Sequence, residues 1–438
     1  MTANAEVTRG ATRETGRGRT LAEKIIARAA GRPHATPGDI VTVAVDLAMA
    51  HDSSGPRRWR PHLEALGVGL WDPDKVVIVS DHYVPAVDAA SAAILKDVRD
   101  FVRAYGVTRF FDMRGISHAV MPEHGLLRPG MLCAGGDSHS PHGGAFGCFI
   151  AGFGATDMTA IAVTGETWLT VPATRRVAWN GRFQDGVSAK DVMLFLAREI
   201  GAENHNLVIE YAGDTVAAMS MEERMTLCNM AAELGADTGI VEPDATTLAH
   251  IRAHGGAVDD AALDAWRSDA DAAYHSAFAF DAAALAPQIA APHFPGNSSS
   301  VADMNRVRID QAYIGACVGA KYEDLAMAAR VLEGRTVRDG VRLLIAPATT
   351  KVTEQAAKSG VLATLTQAGG ILLPSGCGAC AGMGHGLLAA GDVCISTTNR
   401  NFQGRMGHKD AFVYLGSPYS VASAAVAGEI VDPRAYLS

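Results

Sequence analysis

The residues best able to do chemistry lie together near the carboxyl end of the chain, between Gly376 and Arg405. Cys377 and Cys380 form a C-x-x-C pair among glycines, and Arg400 and Arg405 follow about twenty residues later. Two thiolates at this spacing can hold one soft metal centre, and glycine lets the backbone approach it closely. Planar guanidinium groups bind carboxylate or phosphate oxygens bidentately. The segment therefore predicts a metal centre beside an anion site, although a zinc knuckle, a redox dithiol or two core cysteines would also explain the pair.

A third cysteine, Cys317, stands in a glycine-rich turn between a predicted strand and a predicted helix. A thiol close to a helix N-terminus has a lowered pKa, so we expect Cys317 to be a thiolate. Three thiolates are one fewer than usually hold an iron–sulfur cube, so one iron would be left open to act as a Lewis acid. Structural zinc would require four ligands and would leave the arginines unexplained. The remaining cysteines lie in apolar runs and are predicted to be core residues: Cys133, Cys148, Cys228 and Cys394.

Three predicted strands end in aspartate and histidine side chains. These endings are His51 with Asp52, Asp81 with His82, and Asp137 to His139. One such pair alone is more typical of a turn or a helix cap, but ligands of open α/β sheets bind beyond the carboxyl ends of strands. We therefore expect the three endings to meet in one crevice. Together with a metal centre and arginines, this crevice indicates addition or removal of water on a small carboxylic acid.

Two further segments carry candidate site residues. His118 stands in the segment 115–125, between the second and third strand endings, and is either a site residue or a satisfied core histidine. Asn229 and Glu233 are four residues apart, which places them on one face of a predicted helix. They are either solvated polar residues or, as their apolar neighbours suggest, partly buried. A buried glutamate needs a partner, and a site histidine would supply one.

Length and composition indicate a multidomain α/β protein. The chain has 438 residues, of which 46 are glycine and 6% are aromatic, and a chain of this length divides into two or three domains. Its net charge of −9 argues against a nucleic-acid or anionic-membrane partner. No apolar run reaches the ~18 residues of a membrane span. The seven cysteines lack the spacing of a disulfide framework, so we expect a reducing, cytoplasmic location.

Composition also predicts the domain boundaries. Residues 1–20 are arginine-rich without an apolar segment and are predicted to form a disordered tail. Residues 21–172 and 173–290 are predicted to form the first two α/β domains. Proline, glycine and serine mark residues 291–298 as an interdomain linker, which leaves residues 299–438 as a third α/β domain with the cysteines.

Taken as a set, the motifs resemble the aconitase superfamily, and within it the large, cluster-bearing subunit of the isopropylmalate isomerase and homoaconitase type. The resemblance covers nearly the whole chain from Thr20 to Gly428. The motifs are MAHD (49–52), SDH (80–82), GISH (115–118), GDSHS (136–140), MTLCNMAAE (225–233), GAC (315–317), GCGAC (376–380) and TTNRNFQGR (397–405). Their number and length make the resemblance very specific.

The resemblance implies three α/β domains with mixed and parallel sheets around a central iron–sulfur site. It implies a [4Fe–4S] cluster with one open iron, held by Cys317, Cys377 and Cys380. The implied catalytic residues are Asp81, His82, His118, Asp137, His139 and Glu233. The implied substrate-binding residues are His51, Ser138, Arg400 and Arg405, and the implied cluster environment includes Asn229 and Asn399. By analogy, Asp81 with His82 would protonate the departing hydroxyl, while His118 with Asp137 and His139 with Glu233 would tune cluster-bound water and substrate.

The chain departs from the family pattern in two ways. Gly-Ala-Cys-Val-Gly at 315–319 stands where the family usually has Gly-Ser-Cys-Thr-Asn, which removes polar side chains but leaves ligation intact. In addition, no part of the chain resembles the swivelling domain that bears the catalytic base and further arginines in aconitases proper. We therefore expect a separate small swivel-domain subunit to supply the base.

The resemblance thus implies a [4Fe–4S]-dependent hydro-lyase, a dehydratase or isomerase, acting on a substituted malate such as isopropylmalate or homocitrate/homoaconitate. His51 in place of the glutamine of aconitases proper favours this branch, although another 2- or 3-alkylmalate is an alternative substrate. The substrate is in either case a small dicarboxylic or tricarboxylic acid. Two other classes compete: a cluster-sensing RNA-binding protein, which salt-dependent RNA binding by metal-free protein would reveal, and a zinc hydrolase, which metal analysis would reveal.

Overall fold

The computed structural model describes residues 8–9, 18–260, 262–304 and 306–437. In chain order the strands are β1 Thr8–Arg9, β2 Ile40–Ala44, β3 Leu47–His51, β4 Val76–Ser80, β5 Arg109–Asp112, β6 Leu132–Gly135, β7 Phe149–Gly152, β8 Glu166–Thr170, β9 Ala173–Asn180, β10 Leu207–Ala212, β11 Thr238–Val241, β12 Ser276–Asp281, β13 Gln288–Ala290, β14 Ser298–Ser300, β15 Gln311–Ile314, β16 Arg342–Ile345, β17 Ile371–Leu372, β18 Val393–Ser396 and β19 Phe412–Leu415. The α-helices are α1 Leu21–Ala29, α2 Pro56–Leu66, α3 Ala89–Tyr105, α4 Ser117–Glu123, α5 Ala155–Thr164, α6 Ala189–Glu199, α7 Asp214–Ala218, α8 Met221–Asn229, α9 Ala245–Ala253, α10 Ala262–Ala265, α11 Tyr322–Leu332, α12 Thr350–Lys358, α13 Val361–Gln367 and α14 Pro418–Ala427.

The first large sheet is fully parallel, with strand order β5-β4-β3-β6-β7. Strand β4 of this sheet is a buried run of valine and isoleucine, the composition typical of parallel strands that are covered on both faces. The chain begins at the central strand β3, winds to one edge through β4 and β5, and returns to the other side through β6 and β7. The winding direction therefore reverses between β3 and β6, where open α/β sheets bind ligands.

The third large sheet repeats this winding. Its parallel part has the order β17-β16-β15-β18-β19, so its first strand is again central and its fourth strand lies beside the first. The hairpin β13–β14 extends the sheet in antiparallel fashion next to β19. The switch point between β15 and β18 therefore offers a second place at which loops can bind a ligand.

The second sheet has the order β1-β12-β9-β10-β11 and is parallel except for β1. A separate antiparallel pair joins β2 to β8. One buried apolar cluster contains residues of all three large sheets, for example Val79, Tyr211 and Leu415. Because protein cores are close-packed, this shared cluster fixes the strand ends of the sheets relative to one another.

Two predicted boundaries differ from the structure. Thr8–Arg9, placed in the disordered tail, form β1 and pair with Ser276–Ala277, whereas residues 1–7 and 10–17 of that prediction lie outside the described residues. The predicted linker 291–298 is the turn of the β13–β14 hairpin, in which the Ala291 N–H donates to the Asn297 carbonyl at 2.8 Å. Strand β13, predicted to end the second domain, belongs to the third sheet. Proline, glycine and serine mark a chain reversal equally well within a sheet and between domains.

Candidate active site

The carboxyl ends of the first and third sheets line one cavity. The first sheet contributes the strand endings whose convergence the sequence predicts, and the third sheet contributes the cysteines and one arginine. The lining includes His82, His118, Asp137, His139, Ala316, Cys317, Cys377, Cys380, Asn399 and Arg405. Segments that are up to about 320 residues apart in the chain thus meet at the two switch points.

Asp81 and His82 form a buried ion pair at the end of β4. The His82 Nδ1 donates to Asp81 Oδ1 at 2.7 Å, and the other Asp81 oxygen accepts the Ser117 N–H at 2.7 Å. Burial opposes both charges, but their mutual attraction lowers the pKa of Asp81 to about 2 and raises the pKa of His82 to about 9. At neutral pH the pair is therefore carboxylate and imidazolium, with the His82 Nε2 proton left for a group in the cavity.

His51 and Asp52, at the end of β3, hold this pair in place. The His51 ring stacks on His82 with a centroid distance of 4.0 Å, and burial lowers the pKa of His51 to about 4, so the ring is neutral. The Asp52 carboxylate accepts the His82 and Tyr83 N–H groups at 3.1 and 2.9 Å. The sequence predicts Asp52 among the converging strand endings but assigns it no role, and the structure shows that it holds the backbone of the next strand ending.

His118, Asp137, His139 and Glu233 form a second chain of hydrogen-bonded imidazole and carboxyl side chains. The ring of His118 bonds to Asp137 Oδ1 at 2.9 Å, and His139 Nε2 bonds to Glu233 Oε1 at 2.9 Å. Burial disfavours the Asp137 carboxylate, but hydrogen bonds from His118 and His139 hold its pKa well below the usual range. Burial likewise opposes charge on His139, but Glu233 raises the pKa of this imidazole. These are the two pairings that the resemblance implies, and the predicted buried glutamate has its histidine partner.

Asn229 and Asn399 connect the histidines to the cysteines. Helix α8 ends at Asn229 and continues as the 3-10 helix Met230–Leu234, which turns Asn229 and Glu233 into the interior. The Asn229 amide donates to Cys317 Sγ at 3.2 Å, and its carbonyl oxygen accepts from Asn399 at 2.6 Å. The Asn399 Oδ1 lies 3.8 Å from the sulfurs of both Cys317 and Cys380.

The two arginines differ in their surroundings. Arg400 donates through Nε to Glu233 Oε1 at 2.8 Å and through Nη1 to the Ser138 hydroxyl at 3.1 Å. Arg405 lines the cavity, and its buried Nε has no hydrogen-bond partner among the described residues. A buried guanidinium N–H without a partner is costly, so Arg405 is the arginine that is available for an anionic ligand.

The comparisons with known proteins decide the family. The model of the aconitase family (aconitate hydratase) matches residues 23–306 and 300–428. The chain belongs to the aconitase family. It is 45% identical over 423 residues to the 3-isopropylmalate dehydratase large subunit 1 of Methanopyrus kandleri, covering 96% of this chain and 100% of that protein.

Other relatives fall in the same family. The chain is 41% identical to the probable methanogen homoaconitase large subunit of Methanothermobacter thermautotrophicus, covering 94% of this chain and 97% of that protein. The crystal structure of aconitase X from Thermococcus kodakaraensis aligns with a TM-score of 0.46 and 13% identity, covering 82% of this chain and 84% of that chain. This weak structural likeness leaves the assignment resting on the sequence relatives. Across the described residues, no helix has the length and apolar character needed to span a membrane.

Membership of the aconitase family implies an iron–sulfur cluster, and the donor set of this cavity fits one. Cys317, Cys377 and Cys380 all lie at its wall, whereas the four cysteines predicted as core residues are 0–1% exposed within apolar clusters. The expectation that a helix N-terminus makes Cys317 a thiolate is wrong. Helix α11 begins only at Tyr322, and burial raises the pKa of Cys317 to about 12. Burial also raises the pKa of Cys377 and Cys380, so a bound metal would be needed to deprotonate these thiols.

A single zinc ion does not fit the three cysteines. Tetrahedral Zn–S bonds place sulfurs ~3.8 Å apart. Among the described residues, the sulfurs of Cys317, Cys377 and Cys380 do not all lie within 4.8 Å of one another. The one such group is His51, Asp52, Asp81 and His82. Its carboxylates already accept backbone and imidazole protons, so hydrogen bonding within the group accounts for its geometry.

The unusual sequence around Cys317 is accommodated by Thr397. A Cβ atom on Gly319 would lie 2.2 Å from the Cβ of Thr397, so the asparagine that the family usually has here would require Thr397 to move. The Thr397 hydroxyl accepts the Gly315 N–H and donates to the Gly315 carbonyl, both at 2.9 Å. Ala316, between Gly315 and Cys317 in the chain, has a left-handed backbone with φ 70°. This conformation costs a non-glycine residue ~1–2 kcal/mol. The turn therefore keeps a polar clamp although its own side chains are apolar.

The Asp81–His82 pair predicts a pH-dependent stability. Because folding raises the pKa of His82 from 6.5 to about 9, its stabilisation is complete below pH ~6.5 and is lost as the pH rises through 9. In metal-free protein, the difference in unfolding free energy between wild type and His82→Gln should shrink by roughly 2–4 kcal/mol over this range. Denaturant titrations from pH 6 to 9.5 measure it, with exposed His62→Gln as control. A difference that does not vary with pH would contradict the ion pair.

Proposed function

We propose that this chain is the cluster-bearing large subunit of a hydro-lyase that dehydrates a substituted malate, such as isopropylmalate or homocitrate/homoaconitate, and rehydrates the product as an isomer. The observation that carries the proposal is the meeting of three thiols, a charged Asp–His pair and an unpaired arginine in one cavity. The substrate class is supported by the names of the relatives, which are large subunits of 3-isopropylmalate dehydratase and of methanogen homoaconitase.

Cys317, Cys377 and Cys380 would hold a [4Fe–4S] cluster with one open iron. When bound, the cluster supplies a Lewis-acid position for a hydroxyl and a carboxylate of the substrate. Asn229 and Asn399 keep the sulfurs in place, because their amides bond to each other and lie against the sulfurs. Ligands that are held by a surrounding hydrogen-bond network need little rearrangement when a cofactor binds.

His82 is the proposed acid for the departing hydroxyl. Its pKa of about 9 keeps it protonated at neutral pH, and the Asp81 contact at Nδ1 directs the Nε2 proton to the cavity. A positioned acid of this kind contributes ~10²–10⁴-fold to the rate of a proton-transfer step. His118 and His139, which are fixed by Asp137 and Glu233, line the same cavity and orient water and substrate.

Arg405 is the proposed carboxylate anchor. Its unpaired guanidinium can bind a substrate carboxylate through two parallel hydrogen bonds. Arg400 is braced by Glu233 and Ser138, and we assign it a smaller share of substrate binding.

The base that removes the carbon-bound proton is the missing element of this site. Neither Ser138, which accepts from Arg400, nor Ser396, which is buried and donates to Thr398, is among the residues that line the cavity, so neither is the proposed base. We propose that a small swivel-domain subunit supplies the base and at least one further arginine. The large-subunit names of the relatives support a separate partner.

Exposed aromatic residues beside the site support the position of this partner. Phe402 follows Arg400 by two residues, and the Arg400 guanidinium lies 5.9 Å from its ring. The Phe402 ring stacks with Phe294, and the adjacent His293 stacks with Phe412. These three phenylalanines are 37–44% exposed, and large exposed apolar side chains that cluster mark interaction sites. A subunit that delivers a base past Arg400 would cover this aromatic rim of His293, Phe294, Phe402 and Phe412.

The cluster assignment is tested by the colour and iron content of the protein. Anaerobically purified protein should be brown, contain about four irons per chain and bleach in air. Replacing Cys317, Cys377 or Cys380 by serine should remove the colour, whereas the buried Cys394→Ser control should keep it. A colourless protein that carries zinc after strictly anaerobic preparation would refute the assignment.

The two arginines should respond differently to substitution by lysine. Arg405→Lys keeps the charge but loses the planar fork. The loss of transition-state stabilisation, calculated from the drop in kcat/KM, should therefore be on the order of 2–4 kcal/mol. Arg400→Lys should act mainly by loosening the contacts with Glu233 and Ser138, and thus lower Tm. Kinetics and thermal melts of both variants, measured with the partner subunit present, separate these effects. An Arg405→Lys enzyme that is less stable but has unchanged kcat/KM would assign Arg405 a bracing role instead.

The partner requirement is tested by reconstitution. The purified chain should assemble its cluster but turn over no member of a panel of substituted malates. Co-expression with candidate small subunits should give a stable heteromer with activity, and the panel then identifies the substrate. Phe402→Ala should weaken assembly, whereas Trp168→Ala, at an exposed aromatic residue of the separate β2–β8 pair, should not. Full turnover by the partner-free chain would show that the base resides on this chain.

A further inference from the structure

Lys190 is a buried cation that the proposed mechanism does not use. It is the second residue of α6, two positions after the capping residue Ser188, and is 1% exposed. Its ammonium donates to the Thr398 carbonyl at 2.6 Å and otherwise faces the Met230 sulfur at 3.5 Å. A carbonyl and a thioether satisfy part of its hydrogen-bonding capacity but leave the ammonium without a directly contacting carboxylate.

Among the residues that the structure describes, the other buried lysine and arginine side chains have carboxylate partners. Arg224 binds Asp244 through two hydrogen bonds of 2.7 and 2.8 Å, and Lys321 binds Asp324 at 2.6 Å. Within the described ranges, no carboxylate forms an ion pair with Lys190. The start of a helix also carries the positive end of the helix dipole, which disfavours a cation. Lys190 is thus held in an environment that is unfavourable for an isolated charge.

The carboxylates nearest to Lys190 are committed to other groups. Asp191 accepts the Ser188 and Gln288 N–H groups, each at 2.8 Å. Glu233 already serves the His139 imidazole and the Arg400 guanidinium. Burial lowers the pKa of Lys190 to about 8, so the ammonium remains charged at neutral pH. An unpaired charge at full burial therefore indicates that a further anion belongs nearby.

The position of Lys190 shows where that anion belongs. Its acceptor, Thr398, immediately precedes Asn399, whose side chain lies 3.8 Å from the Cys317 and Cys380 sulfurs. After Glu233, which acts on Lys190 most favourably without contacting it, negative charge on Cys380 and Cys317 is the next favourable influence. Three thiolates more than balance the charge of an oxidised [4Fe–4S] core, so the assembled cluster is an anion.

We infer that Lys190 is the internal counter-cation of the iron–sulfur cluster, which it stabilises through space from behind the Thr398–Asn399 backbone. This inference rests on the proposed cluster and assigns Lys190 a positioning and charge-balancing role, with no contact to substrate. Because reduction adds negative charge, a nearby cation favours the reduced cluster and raises its reduction potential. In metal-free protein the same ammonium lacks its anion and is destabilising.

Lys190→Met tests the inference because it should have opposite effects in the two forms of the protein. Methionine keeps the length of the side chain and removes the charge, so Tm of the metal-free protein should rise by at least ~2 °C. In the cluster-loaded chain, the same substitution should make the reduction potential more negative and speed the loss of iron to a chelator several-fold. Thermal melts, anaerobic redox titration and chelation kinetics measure these effects without any enzyme assay.

Two further variants sharpen the test. Lys190→Gln can still donate to Thr398 but carries no charge, so its reduction potential should shift as that of Lys190→Met does. Lys321→Met, which leaves Asp324 unpaired, should lower Tm of the metal-free protein. If both Lys190 variants lower Tm in both forms and keep the wild-type potential, Lys190 only braces Thr398 and the inference is wrong. Failure of the wild type to load any cluster would instead overturn the proposed function.

Discussion

Charge balance inside a buried cavity is the constraint on which this site depends. The cavity collects carboxylates, imidazoles, thiols and guanidinium groups where water cannot screen them, so each charge needs a partner at close range. Asp81 has His82, and Glu233 has both His139 and Arg400. Among the described residues, the buried Nε of Arg405 has no hydrogen-bond partner, and the Lys190 ammonium bonds to the Thr398 carbonyl but forms no ion pair. These two cations are the groups that the proposed cluster thiolates and the proposed substrate carboxylate would balance.

The two sheets that face the cavity explain how such distant residues meet. Both place their first strand in the centre and their fourth strand beside it, so each sheet opens a crevice at its carboxyl edge. The first sheet fills its crevice with aspartates and histidines, and the third fills its crevice with cysteines and an asparagine–arginine loop. The proposed acid–base groups and the proposed metal ligands thus come from separate sheets. A shared apolar core fixes their distance.

The second sheet acts on the site through two helices. Helix α8 carries Asn229 to the Cys317 sulfur, and α6 carries Lys190 beneath Thr398. Neither helix lines the cavity with a catalytic group, yet both fix the charges and hydrogen bonds around the sulfurs. This arrangement also accounts for the tolerance of apolar residues next to Cys317, since Thr397 and Asn229 supply the polar contacts there.

The sequence alone determined the family and the candidate residues for chemistry, because motif residues such as Asp81 and Cys380 are recognisable from type and spacing. It also determined that strand endings converge, since parallel sheets present their carboxyl ends at one edge. Only the tertiary structure decided the rest. Burial reversed the expected pKa of Cys317, and long-range pairing turned the predicted linker 291–298 into a hairpin. The tertiary structure also buried Lys190 without a carboxylate partner. Burial and pairing depend on contacts between residues far apart in the chain, which the sequence does not reveal.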